Sequence, residues 1–234
     1  MAEPAASVII PARDAGVTLG RTLAAVADQD LTRDFEVIVV DDGSRDDTVA
    51  IAERAGARVI RQRDLGPGEA RNAGARAARA RALAFTDADC FPELTWLRAG
   101  LAALESADLV QGRVLPDPSA RRRPFDHTIW VVKESGLYET ANLLVRREAF
   151  ERVGGFEDWL DVDIGKRLGE DLWFGWKVRR AGGRTTFAPD ALVYHAVFPR
   201  RWYEFVDERR RLLYFPALVQ KVPELRRHFL KAGL

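Results

Sequence analysis

Four short apolar runs punctuate the first ninety residues, and the segments between them carry apolar positions at helical spacing. Ser7-Val8-Ile9-Ile10-Pro11 is a β-branched run closed by proline and predicts a first strand. Asp14 and Gly16 lead into a helix with Leu19, Leu23 and Val26 at i, i+4 and i+7. Residues 35–40 are almost continuously apolar, as a strand buried on both faces should be. They end in Asp41-Asp42-Gly43-Ser44. Asp46-Asp47-Thr48 offers capping oxygens and negative charge to a helix start, and Gly56 offers a stop. A third strand is expected at 57–61. Gly66-Pro67-Gly68 is a turn, and the alanine-rich stretch 69–81 predicts a helix on propensity. Residues 82–86 form a fourth apolar run, followed near 94–106 by a helix with Leu97, Leu101 and Leu104 on one face. This alternation predicts an α/β domain, a mainly parallel sheet flanked by helices.

Beyond a strand at 109–115 the texture changes. Pro116-Asp117-Pro118-Ser119-Ala120 and the following Arg121-Arg122-Arg123-Pro124 are poor in apolar residues and predict a mobile loop. The chain then becomes rich in aromatics. A helix is expected at 170–181, stopped by Gly182-Gly183, with short strands at 185–188 and 192–194. The tail, 202–234, is basic and helical apart from breaks at Pro216 and Pro223. One domain over 1–198, in two halves at 7–115 and 124–198, with a helical extension over 199–234, is the expected organisation.

Composition narrows the partners. Lys and Arg number 36 against 35 Asp and Glu, a net charge of +1, so charge does not suggest nucleic acid. The single cysteine, Cys90, rules out an internal disulfide and a multi-cysteine zinc site and suits a reducing cytosol. No secretory signal is visible at the N-terminus. No run of about 18 apolar residues occurs, so a peripheral position at the inner face of a membrane is the closest expected membrane contact.

The candidate chemistry lies where strands should end. Asp87 and Asp89 follow the run Leu83-Ala84-Phe85, and in extended chain residues i and i+2 share a side. Such a carboxylate pair is common as a solvated turn, but it also suits Mg²⁺ or Mn²⁺. Two further acidic pairs, Asp41-Asp42 and Glu170-Asp171, fall at comparable places, and open α/β sheets gather such ends into one crevice. A nucleotide diphosphate would fit the set. A carboxylate facing a phosphate at ~4 Å costs several kcal/mol at an effective dielectric of ~20, and a bound dication reverses that sign.

These residues carry a resemblance. Ser7-Val8-Ile9-Ile10-Pro11, Val40-Asp41-Asp42-Gly43-Ser44, Ala70-Arg71-Asn72-Ala73-Gly74 and Thr86-Asp87-Ala88-Asp89 resemble the successive motifs of family 2 glycosyltransferases with the GT-A fold. Downstream, Ala141-Asn142 to Arg146, Gly154-Gly155-Phe156, Gly169-Glu170-Asp171 and Val193-Tyr194-His195 are similar to that family's acceptor-side pattern. The resemblance covers roughly 7–198 and rests on eight short motifs in order.

The resemblance implies roles. Pro11, Ala12, Arg13 and Asp14 would wrap the nucleotide base. Asp42 would accept a base N–H, with Asp41 as neighbour or fallback; the competing role for this pair is a helix-leading turn. Arg71 would approach the nucleotide or its phosphates, unless it is a solvated helix-face arginine. Asp87 would face ribose and metal, flanking Ala88, and Asp89 would be the main ligand of Mn²⁺ or Mg²⁺. His195 would be a further ligand, or a satisfied polar residue. Asp171, with Glu170 as second choice, would be the base that takes the acceptor's proton, or both would cap a helix. Trp173 and Trp176 would offer a sugar-stacking face or belong to the core. Two departures stand out: Ala12 where an aromatic residue is frequent, and Cys90 where a third acid is frequent. Cys90 reads as a small packed side chain.

The expectation is a metal-dependent, inverting glycosyltransferase with a nucleotide-diphosphate sugar donor and a carbohydrate or lipid-linked acceptor. A nucleotidyltransferase would want an early glycine-rich loop, and 11–16 is poor in glycine. A dehydrogenase would want the third glycine that Gly66-Pro67-Gly68 lacks. A non-catalytic sugar- or membrane-binding module is the remaining alternative, favoured by Trp202, Tyr203 and Phe205 among Arg200, Arg201 and Arg209-Arg210-Arg211. The competing role for that segment, and the one preferred, is a solvated helix packing one face on the domain.

Overall fold

The computed structural model describes residues 3–160 and 169–226. In chain order the elements are β1 (Ser7–Ala12), α1 (Leu19–Ala27), β2 (Glu36–Asp41), α2 (Thr48–Arg54), β3 (Arg58–Arg61) and α3 (Pro67–Ala77). Then come β4 (Ala82–Thr86), β5 (Cys90–Pro92), α4 (Trp96–Leu104), β6 (Leu109–Pro116), β7 (Asn142–Arg146) and α5 (Arg147–Arg152). The last are α6 (Glu170–Arg180), β8 (Thr185–His195), α7 (Trp202–Glu208), a 3₁₀ segment (Arg209–Tyr214) and α8 (Phe215–Lys221). The strands form one sheet in the order β3-β2-β1-β4-β7-β6-β8-β5. Four of its seven neighbour pairs are parallel, and the other three are β4–β7, β6–β7 and β5–β8.

The continuous apolar runs follow from a sheet covered on both faces. Val8 and Ile10 face one core with Ala84 and Leu144, against α1 and α4, whereas Ile9, Leu83, Phe85 and Leu143 face the other, against α6. Each such aliphatic side chain contributes roughly 1.5–3 kcal/mol on burial. Helix α3 lies close on β1: a Cβ at Gly74 would sit 2.4 Å from Ile9 Cγ2, so this turn of helix tolerates no side chain.

Because β1 lies between β2 and β4 and all three are parallel, the segments after Ala12, Asp41 and Thr86 emerge side by side. β7 runs opposite to β4, which brings its first residue, Asn142, level with Thr86. β6 and β8 run with β4, so Pro116 and His195 reach the same rim.

Three expectations are corrected, and the packing of the tail, which the sequence left open, is seen. The helix expected over 69–81 stops at Ala77, because Arg147 takes the carbonyls of Ala75, Ala78 and Ala80 and Glu36 holds Arg79. The expected strands at 185–188 and 192–194 are one strand, β8. It bulges at Pro189, Asp190 and Ala191, where register passes from Gly112 opposite Ala188 to Arg113 opposite Leu192. Asn142 fills that bulge, donating from Nδ2 to Arg113 O at 2.9 Å and Ala191 O at 2.7 Å. A Cβ at Gly112 would fall 2.2 Å from the same nitrogen. The loop expected to be mobile after Pro116 is pinned at its start, where Asp117 pairs with Arg21 and accepts from Ser119 N and Oγ. Finally, the tail packs in part on the domain: Val222 and Leu225 are fully buried, whereas α7 buries none of its residues. Residues 227–234 lie outside the described residues. No helix among the described residues is long and apolar enough to cross a membrane.

Candidate active site

A cleft of about 690 Å³ opens at the rim where β1, β2 and β4 end. Nine expected residues line it: Pro11, Ala12, Arg13, Asp14, Asp42, Arg71, Asp87, Ala88 and Asp89. Its walls are cross-braced loops. Ser44 Oγ accepts Asp14 N at 2.9 Å, Asp14 accepts Arg45 N at 2.7 Å, and Thr48 Oγ1 accepts Ala15 N at 2.8 Å. Asp14 adopts a left-handed backbone with φ 48°, a conformation an aspartate side chain tolerates better than most. Arg13 pairs with Asp64 across the opening.

The two adjacent aspartates separate by role. Asp41 is buried, does not line the cleft, and accepts Ser44 N at 3.2 Å, so it belongs to the turn that leads into α2. This is the helix-leading turn, the competing role for the pair. Asp42 reaches the cleft and also accepts Gln62 Nε2 at 2.9 Å, Leu65 N at 2.9 Å and Gly66 N at 2.8 Å. Three of about four acceptor positions are filled, which leaves one for a ligand donor.

Asp87 and Asp89 converge through a turn and not through strand pleat. β4 ends at Thr86, and Cys90 N donates to Asp87 O at 3.1 Å. Thr22 Oγ1 anchors this turn to α1 by donating to Ala88 O at 2.9 Å. Pairing of β5 with β8 places Cys90 opposite His195 and brings the imidazole to the acid pair. His195 Nε2 lies 3.6 Å from Asp89 Oδ2, while Nδ1 stands 2.6 Å from Ala196 O. A carbonyl only accepts, so Nδ1 carries a proton; Nε2 donates to the carboxylate when the ring is charged and presents a lone pair toward it when the ring is neutral. In the neutral ring two acceptors face each other, an arrangement a cation satisfies. Burial raises the Asp89 carboxyl above its usual range, His195 opposes this, and Asp87 adds to it. Cys90 lies within ligand distance of Asp89 and His195. Burial pushes its thiol well up, which keeps it the packed, protonated side chain expected.

Arg71 is not a solvated helix-face residue. It is 5% exposed, donates to Asp87 at 2.8 Å and to Glu170 at 3.4 Å, and so ties the turn after β4 to the start of α6. Burial works against its charge, but Asp87 and Glu170 outweigh this and raise its pKa. Its Nε is buried with no hydrogen-bond partner among the described residues. Asp171, next to Glu170, accepts Leu172 N at 2.7 Å. Burial, then Glu170, pushes its carboxyl well above the usual range, with a further contribution from Glu139.

Neither tryptophan presents an open stacking face. Trp176 is buried and donates to Gly136 O at 2.9 Å, and Lys221 Nζ lies 4.4 Å over Trp173. Sequence reasoning missed Glu139 and Phe198. Glu139 sits three residues before Asn142, and burial raises its carboxyl. Phe198 lines the cleft from beyond β8. Neither belongs to a periodic pattern, so only the packing finds them.

Comparison with known proteins follows the geometry. The family described as Glycosyl transferase family 2 matches residues 7–156, and Glycosyl transferase family group 2 matches 86–228. The chain is 32% identical over 213 residues to glycosyltransferase AglE of Haloferax volcanii, covering 84% of this chain and 68% of that protein. It is 28% identical over 214 residues to the pre-mycofactocin glycosyltransferase of Mycobacterium tuberculosis, covering 81% of this chain and 42% of that one. Among solved structures it is similar to the mannosyltransferase PcManGT from Pyrobaculum calidifontis in complex with GDP-Man and Mn²⁺. That pair has TM-score 0.68 and 21% identity, covering 100% of this chain and 77% of that one. S. aureus TarS in complex with UDP-GlcNAc gives TM-score 0.67 at 20% identity, covering 98% of this chain and 76% of that one.

Proposed function

The chain belongs to glycosyl transferase family 2 and has its GT-A fold, and on that premise we propose a metal-dependent, inverting transfer of a sugar from a nucleotide diphosphate to an acceptor hydroxyl. One observation carries the reading. Arg71 lines the cleft with Asp42, Asp87 and Asp89 and joins Asp87 to Glu170, which ties the acids of α6 to that wall although they do not line the cleft themselves. The nucleotide–sugar complexes of the solved relatives support a donor of this class.

In this reading the loop 11–14 and Asp42 bind the base. The last open acceptor position of Asp42 takes a base N–H. Asp87, Asp89 and His195 would hold Mn²⁺ or Mg²⁺, whose charge compensates the departing diphosphate. The lone pair on His195 Nε2 suits that role because Ala196 O fixes the opposite tautomer. Arg71 keeps Asp87 and Glu170 in place. Asp171 accepts the proton of the attacking hydroxyl. Its environment raises its basicity, as a general base working near neutral pH requires. Glu170 is engaged by Arg71, which favours Asp171 over it as the base. Attack on the face opposite the diphosphate gives inversion.

Calorimetric titration with a panel of nucleotide diphosphates, with and without Mn²⁺, tests the donor side. Wild-type affinity should rise with Mn²⁺, and Asp89→Ala should erase that rise and lower transfer about 10²–10³-fold. A variant that kept the full Mn²⁺ dependence would remove Asp89 from the metal site.

A further inference from the structure

Twelve large hydrophobic side chains are exposed among the described residues, and nine of them fall in two segments, 125–132 and 198–213. The segments adjoin. His127 and Phe198 exchange backbone hydrogen bonds at 2.9 Å, and the Phe125 and Phe205 rings lie 5.3 Å apart. Trp202, Leu212 and Leu213 are the most exposed of these nine, at 64%, 62% and 75%, with Trp130 next at 59%. Nothing in α7 is buried, so this strap is held at its ends, by Phe198 before it and by Val222 and Leu225 after it.

Its charges are unevenly matched. Glu208 is taken by Arg200 and Arg211, Asp207 by Arg210, and Glu204 by the Arg201 backbone N–H. Arg121, Arg122, Arg123, Arg201 and Arg209 have no carboxylate within 4 Å among the described residues. Three of them lie over rings instead, Arg122 over Trp130 at 5.2 Å, Arg201 over Tyr203 at 6.0 Å and Arg209 over Phe205 at 4.2 Å. Exposed tryptophan and leucine stand here beside guanidinium groups that no carboxylate matches, so one face carries both apolar rings and net positive charge. They match the headgroup region of an anionic bilayer, which takes the rings at its apolar boundary and the arginines at its phosphates.

We propose that α7, the 3₁₀ segment and the 121–132 loop form a docking face for an anionic lipid surface. Phe198 belongs both to this face and to the cleft, so docking sets the mouth of the cleft beside the membrane. This inference is independent of the donor chemistry above.

Co-sedimentation of the full chain with phosphatidylglycerol or phosphatidylcholine vesicles, at low and high salt, provides the test. Binding should be strong to phosphatidylglycerol at low salt, fall with salt, and be weak to phosphatidylcholine. Trp202→Glu with Leu213→Glu should lower partitioning at least about tenfold with melting temperature unchanged, since neither side chain is buried. Arg121→Glu with Arg122→Glu should lower it through charge alone. Wild-type protein that stays in the supernatant, or variants that sediment as wild type does, would overturn the proposal. So would a concentration-dependent dimer that Trp202→Glu splits, which would assign the face to a second copy.

Discussion

The loops after β1 and β2 and the start of α6 use their carboxylates in different ways. Asp14, Asp42 and Asp46 each accept backbone N–H groups from a neighbouring loop. Asp46 is held below its usual range, chiefly by the Thr48 hydroxyl. Asp171 instead lies half-buried beside a second acid, accepts one N–H from Leu172, and is driven up. The same residue type therefore shapes the backbone where donors are plentiful and holds its proton more tightly where they are scarce. An aspartate is assigned to chemistry by what its surroundings leave unsatisfied.

The sharpest way to break this comparison is Asp171→Asn. Transfer should fall about 10²–10⁴-fold while donor titration stays at wild-type affinity. Near-normal transfer would mean that the half-buried acid is not the base. A smaller effect is expected on the loop side. Arg21 holds the Asp117 carboxyl down to about 2. A depressed carboxyl stabilises the fold above its unfolded pKa near 4, and that contribution is lost as pH falls toward 2. Asp117→Asn should therefore cost about 1–2 kcal/mol in chemical denaturation at pH 7, at the low end because Arg21 is half exposed. The cost should shrink between pH 4 and 2, and a pH-independent difference would contradict it. Least in size is Glu139→Gln. Removing this negative neighbour eases ionisation of Asp171, so the acid limb of the transfer rate against pH should move to lower pH. Movement to higher pH would show that Glu139 does not act on Asp171 by charge.

Much of the donor half was legible because its signals are local. An apolar run ending in acid marks a strand that reaches a sheet rim, and the succession from Ser7 to Asp89 follows parallel strands whose ends emerge together. The acceptor half reads less well. Asn142 stands in one of the acceptor-side motifs, but Trp96 Nε1 donates to it at 2.8 Å and it closes the β8 bulge. The helix over 69–81 was overestimated because propensity does not register Arg147, which ends it from 66 residues beyond Arg81.

By itself the sequence determined the layered α/β class, the acids at strand ends and the helix-bearing basic tail, since side-chain periods of 2 and about 3.6 are written into neighbouring residues. Tertiary structure alone decided that Asp42 and not Asp41 meets the cleft, that Arg71 is a buried tie, and that His195 stands beside Asp89. Those outcomes depend on which strands pair and in what register, and register is set by packing among residues far apart in the chain.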